Sequence, residues 1–543
     1  MANDHTIRGR LVDIPNRRVV GACISIQRGR IASIREQAAA EGPFLMPGFV
    51  DSHVHVESSM LTPTQFAAAA VVHGTVATVS DPHEIANVLG VEGIHFMLQD
   101  AEKTPLKIHF DVPSCVPATP YETSGATLDQ HAVAELLDDP RLSYLSEMMN
   151  YPGVLGGDVE VTAKINAALD RRKPVDGHAP GLRGDQAAAY VAAGISTDHE
   201  CVSKDEALDK LAAGCRIQIR QGSAARNFAA LYSLIDEYPD QAMLCSDDKH
   251  PDDLLAGHMD QLVREAVKMG IDPMNALQAA CLNPVRHYGM DVGQLRVGDP
   301  ADLVEVDNLT QFGVLRTWIN GEIVAEQGTT RLTGTDVQPI NHFLATNKTA
   351  ADFLCQATTS SIRVIEAKDG ELITGSSQAE AHVVDGAIVS HPAADILKMT
   401  VVNRYQDTPP AIGFIRGFGL RQGAIASSVA HDCHNIVSVG VSDDDLRRAV
   451  NLVIENRGGL SAVSGHDFAA LALPIAGLMS CRSCQEVARE YEQLNALCQS
   501  WGTTLRAPFM TLSFMALLVI PELKLSDQGL FDGQRFEFAS LRV

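Results

Sequence analysis

At 543 residues the chain is too long for one ordinary hydrophobic core, so two or three domains are expected, one of them large enough for a full barrel of about 250 residues. Its 45% hydrophobic and 20% charged residues suit a globular protein, while a formal charge of −24 (43 basic against 67 acidic side chains) repels nucleic-acid phosphates, with no Lys/Arg-rich run to offset it. No apolar run approaches the roughly 20 residues needed to span a bilayer and the start MANDHTIRGR lacks an apolar signal core, so no membrane partner and a cytoplasmic chain are expected.

The segment through about residue 47 alternates polar and apolar residues in VVGACISIQRGRIASI, which predicts short antiparallel strands that cannot bury both faces alone. From Met46 the texture changes to short apolar runs separated by helical stretches, the pattern of parallel strands with crossover helices. Eight such runs occur in order: GFVDSHVHV, TVATVSD, KIHFDVPS, LSYLSEM, PVDGHA, GISTDHE, RIQIRQG and AMLCSDD. They predict an α/β fold, a (β/α)₈ TIM-like barrel over 48–290, with NALQAACLN as one further helix near its end. GQLRVGDPADLVEVD then returns to strands, so residues 291–335 are expected to join 1–47 in a small β-sandwich domain. The remainder, 341–543, mixes strand signals (SIRVIEA, NIVSVGVS) with the helical DDDLRRAVNLVIENRGG and predicts a C-terminal α+β domain packed against the barrel.

Eleven scattered cysteines read as reduced buried thiols, and the lone CxxC at Cys481 and Cys484 is a weak metal signal. The strongest local signal is Asp51-Ser-His53-Val-His55 after Pro47-Gly48. On an extended strand residues i and i+2 point the same way, so His53 and His55 can present two imidazoles to one metal.

With its surroundings, PGFVDSHVHVESS, this pair resembles the first barrel strand of the amidohydrolase superfamily. The resemblance implies a bridging ligand after strand four, a His after strands five and six, and an Asp after strand eight. Glu147, His178, His199 and Asp247 stand at those stations, with Glu147 where many relatives use a carboxylated Lys. The runs SEMMNYPGV, DGHAPGL, TDHE, SDDKHPDDL and AHDCHNIVSVG resemble the adenine deaminase branch over nearly the whole chain. That branch implies two divalent metal ions, Mn or Fe with Zn as a third option, and hydrolytic deamination of adenine to hypoxanthine and ammonia. Coordination lowers the pKa of water from about 16 towards 7 and so supplies hydroxide at neutral pH. Asp247, as metal ligand and proton acceptor, is the candidate proton shuttle.

Several features carry a functional and a structural reading side by side. In Ser80-Asp81-Pro82-His83-Glu84, His83 and Glu84 could bind or protonate the purine, or the run could simply start a helix capped by Asp81. The loop His431-Asp-Cys-His434-Asn could lean over the barrel mouth to close the purine pocket or bind a further metal, or merely pack two domains together. Ser223, Arg226 and Asn227 in RQGSAARN read as a solvated loop, His250 as a loop residue without a ligand role, and Asp443-Asp444-Asp445 as an N-cap and acidic first turn. A dihydroorotase- or hydantoinase-like cyclic amidohydrolase would use the same hydroxide, but Glu147 and AHDCHN speak against it. A catalytically silent barrel that serves only as an interaction protein should have lost ligands, and no station is empty. The expected partner is a small molecule, with a homodimer as the expected assembly.

Overall fold

The computed structural model describes residues 4–37 and 41–543. Eight short parallel strands follow one another at the eight predicted places: β1 (Phe49–Val54), β2 (Thr75–Ser80), β3 (Lys107–Phe110), β4 (Leu145–Met148), β5 (Val175–Gly177), β6 (Thr197–Asp198), β7 (Arg216–Arg220) and β8 (Ala242–Cys245). Ladders join β1 to β2 and β2 to β3, β4 to β5, and β6 to β7 and β7 to β8. Parallel bridges between Val112 and Leu145 and between Val54 and Asp247, with the Ser196 N–H donating to Val175 O at 2.8 Å, close the remaining seams. The sheet is therefore a closed barrel with no free edge.

All residues of β1, β2, β4 and β8 are buried, which explains why these strands read as apolar runs without alternation: side chains facing inward fill the barrel, and those facing outward meet the crossover helices. Close packing also dictates one motif glycine. A Cβ on Gly177 would lie 2.4 Å from the Thr197 carbonyl, so β5 and β6 can approach only with Gly ahead of His178. NALQAACLN belongs to one helical rod, Pro273–Tyr288, that passes through a π turn at Gln278–Leu282.

The chain ahead of the barrel and the chain after it share one eight-stranded sheet. Strand Phe44–Pro47 is its seam, pairing in parallel with His5–Asp13 and antiparallel with Leu303–Val306 before Gly48 leads into β1. Ile24, Ile26, Leu45, Leu303 and Trp318 form its core. A second eight-stranded sheet occupies residues 361–472, with helix Asp443–Glu455 laid on one face through Leu446, Ala449, Val450 and Val453. Ser442, not Asp443, caps that helix by accepting from the Asp445 N–H, because the cap needs a residue in extended backbone. Asp443 instead meets the buried Lys398 ammonium at 2.5 Å.

This third unit is fastened to the barrel. Leu61 and Ser480 form a parallel bridge, Asp527 accepts from Thr123 N and Oγ1 at 2.9 and 2.7 Å, and one hydrophobic cluster runs from Val79 and Tyr144 of the barrel to Tyr491 and Leu512. All eleven cysteines are free, and most are buried. Among the described residues no helix is long and apolar enough to cross a membrane.

Candidate active site

The site is assembled at the C-terminal ends of the strands, the face on which the loops following them converge. β1 delivers His53 and His55 with their Nε2 atoms 3.2 Å apart. Asp247, just beyond β8, places Oδ1 3.6 Å from His53 Nε2 and 3.3 Å from His55 Nε2. Glu147 ends β4 and faces both ways: Oε1 lies 3.4 Å from His55 Nε2, while Oε2 lies 2.6 Å from His178 Nδ1 and 3.1 Å from His199 Nε2. All six side chains are buried. The structure thus brings together every residue proposed above as a ligand.

This donor set suits divalent cations. Two ligands held about 2.1 Å from a common ion lie about 3.0–3.4 Å apart, as four of the six distances above do, and imidazole nitrogen with carboxylate oxygen is a common donor mixture for such ions. Burial, with His199 and His55 alongside, pushes the His53 imidazole well below its ordinary range, which leaves a neutral ring with a lone pair to give. Burial works the same way on His178, but the Glu200 and Glu147 carboxylates outweigh it and hold that ring up to about 9.

A second layer fixes these groups. Asp51 accepts from Ser246 N and Oγ at 3.0 and 2.5 Å and pairs with His258 Nε2 at 2.9 Å, locking β1 to β8 beneath the histidine pair. Arg220 at the end of β7 grips Asp247 Oδ2 at 2.6 Å and takes both oxygens of Glu200, the second at 3.0 Å. Burial raises the cost of charging Asp247, but Arg220 and the neighbouring imidazoles hold its carboxyl well below the usual range, so Asp247 is an anion.

The loop after β7 is not solvated as expected. Ser223 and Asn227 are buried: Asn227 donates to the His199 carbonyl at 2.9 Å and accepts from Arg220 N at 2.8 Å, and Ser223 links Asp253 at 2.6 Å to His250 N at 2.9 Å. Of the three, only Arg226 is exposed. The loop composition looked solvent-facing because its partners lie on other strands. His250 is buried edge-on against Tyr491, with ring centroids 4.9 Å apart.

At the end of β2 the run starts a helix, as the structural reading expected, and sets His83 and Glu84 beside the Glu147 cluster. Asp81 accepts from His83 N at 3.0 Å at the start of helix His83–Leu89, and its other oxygen holds His83 Nδ1 at 2.8 Å. His83 Nδ1 is 3.6 Å from Glu147 Oε1. Glu84 is met from the third unit, for His431 Nδ1 touches Oε1 and His434 Nε2 touches Oε2. His431 stacks flat on Phe514 at 4.5 Å, and Asp432 Oδ1 lies 3.8 Å from His83 Nε2. Burial and the charge of Glu84 push the neighbouring Glu57 carboxyl up to about 7.

Four polar side chains of the site escaped sequence reasoning: Glu200, Arg220, Asp248 and Asp432 all line the inner pocket. Glu200 follows His199 directly and Arg220 ends a barrel strand, two positional signals that could have found them. Nothing local marked the apolar walls Leu372, Phe514 and Leu517, which the third unit supplies.

Fold and site together define a metal-dependent hydrolase barrel, and comparison with known proteins agrees. Residues 44–324 match the amidohydrolase family and residues 371–537 the adenine deaminase C-terminal domain. An adenine deaminase of Salinibacter ruber is 54% identical over 540 residues, 99% of this chain and 99% of that one; one of Methanosarcina barkeri is 52% identical over 546 residues, with the same coverage of each. The chain belongs to the amidohydrolase family and, within it, to the adenine deaminases.

Proposed function

We propose that the chain hydrolyses adenine to hypoxanthine and ammonia at the barrel mouth. The observation that carries this reading is Glu147 dividing its two oxygens between two groups of imidazoles, in a chain whose barrel and third unit both match the adenine deaminases. His53, His55 and Asp247 would hold one divalent cation and His178 and His199 the other, with Glu147 shared between them. Mn or Fe is favoured by resemblance, with Zn a further option. Ions bound there would lower the pKa of water from about 16 towards 7 and supply the nucleophile for C6 of the base.

Asp247 is the proton carrier. With Oδ2 gripped by Arg220, Oδ1 faces the histidines, where it accepts the proton of the attacking water and passes it towards the ring nitrogen or the departing amine. Asp81 fixes His83 so that Nε2 points into the pocket, where it and Glu84 would contact the base. His431 and His434 would close the far wall through Glu84. The domain division that fits these roles is 1–47 with 291–335 as the small β unit, 48–290 as the barrel and 341–543 as the covering unit.

The test is metal analysis followed by ammonia release from adenine, adenosine and a cyclic amide side by side. Release from adenine by protein carrying two ions per chain is expected. Release from adenosine but not adenine overturns the substrate, and cleavage of the cyclic amide alone overturns the reaction.

A further inference from the structure

The inner pocket beside Glu147 has a volume of about 30 Å³, room for one or two waters and too little for a purine ring. Next to it, between the barrel loops and the third unit, lies a larger cavity of about 410 Å³, within the range of roughly 300–1,000 Å³ that small-molecule sites occupy. The two spaces share three walls: Glu200, Arg220 and Leu372. The outer cavity is otherwise mainly apolar, with Tyr151 from the barrel side and Ile373 and Pro521 from the third unit.

Resting on the reaction proposed above, we propose that this outer cavity is a binding station for the base, from which a neutral planar nitrogen heterocycle reaches the metal-facing residues once the Leu372 side chain swings aside and joins the two spaces. The chemistry of the walls fits such a guest. Tyr151 offers a face on which a ring can stack, the aliphatic walls offer apolar contact, and the Glu200–Arg220 pair offers an acceptor and a donor to the ring edge. Arg220 is bonded to both Glu200 oxygens and to Asp247, while its buried Nε has no partner, which leaves one donor to offer a guest.

The backbone of the dividing wall is fixed. The Leu372 carbonyl accepts from Lys524 Nζ at 2.7 Å, and Thr374 is tied at both ends, N–H to Pro521 O at 3.1 Å and Oγ1 to Leu523 O at 2.8 Å. What yields to an incoming ring is therefore the Leu372 side chain, by a rotamer change, rather than the segment that carries it.

Leu372→Trp and Ile373→Trp test the assignment in the metal-loaded, full-length protein. Leu372→Trp should lower kcat/KM for adenine at least tenfold with metal content unchanged. The chain's two tryptophans, Trp318 and Trp501, lie outside this cavity, so Ile373→Trp adds a reporter whose fluorescence should respond saturably to adenine. Two results overturn the proposal: kcat/KM of Leu372→Trp within twofold of the wild type, or Ile373→Trp fluorescence indifferent to adenine. A wild-type protein that releases no ammonia from adenine while Ile373→Trp still binds it would sink the proposed reaction and uphold the cavity.

Discussion

The barrel half of the site and the half lent by the third unit are built differently. On the barrel side, His53, His55, Glu147, His178, His199 and Asp247 sit at or just past strand ends, each side chain further constrained by neighbours such as Asp51, Arg220 and Asn227. On the other side, His431, Asp432, Phe514 and Leu372 come from loops and short turns of a separate sheet system and touch the barrel at few polar points, chiefly Glu84. The division teaches where each task resides. On the proposed reading, chemistry that tolerates little misplacement would be mounted on closed, interlocked strands, and recognition of the base would be left to loops that can differ without disturbing those strands.

Removing the bridge should have the largest effect. Glu147→Gln takes the shared carboxylate from both cation sites, so kcat is expected to fall at least about 10³-fold together with metal content by elemental analysis. Full turnover with two ions retained would contradict the barrel-side assignment. The lid side should respond more mildly and in a different observable: His431→Ala with His434→Ala is expected to cost about 10²-fold in kcat/KM while metal content stays at the wild-type value. If turnover and adenine affinity are both unaltered, the loop is only a packing element and the comparison fails.

Arg220→Met probes the support beneath the barrel half. It strands Glu200 and Asp247 as buried, unpaired carboxylates, and a loss of about 3–5 kcal/mol in urea unfolding is expected. Unchanged unfolding would mean that water or another donor already serves both acids. Asn227→Ala removes one bond to the His199 carbonyl and one to the Arg220 N–H, and should cost about 1–3 kcal/mol with a weaker hold on metal.

The smallest effect belongs to the third unit and to pH. Burial lowers the Lys524 ammonium from about 10.5 to about 7. Its folded value lies below its unfolded one, so between pH 7 and about 10.5 the unfolded chain holds a proton that the folded chain has shed, and this group makes stability rise with pH across that window. Lys524→Met should flatten the rise, as measured by denaturant midpoints at pH 7 and pH 9.

The same contrast governs what could be read from the sequence. The barrel strands were legible because most of them are buried and lie in short apolar runs, and the proposed ligands stood out because they follow those runs at once. The resemblance to a known family then assigned stations that spacing alone left open. Ser223 and Asn227 were misread because Ser and Asn are ordinary loop residues, and only their distant partners bury them. Glu200 and Arg220 form a pair across neighbouring strands, and no local pattern reveals a partner chosen by barrel closure. Leu372 and Phe514 were invisible for a stronger reason: they reach the mouth through the docking of two units, which hydrophobic periodicity does not encode.

One detail of the small sheet bears on how the chain is made. Strand Phe44–Pro47 pairs with Leu303–Val306, which lies beyond the whole barrel in sequence, and only Gly48 separates it from β1. During synthesis from the N-terminus, the first strands can form their own hairpins, but their sheet stays half built until the last barrel helix has left the ribosome. Until Leu303–Val306 is made, Phe44–Pro47 therefore presents an open strand edge beside the first histidine pair, and the small sheet is completed only after the barrel.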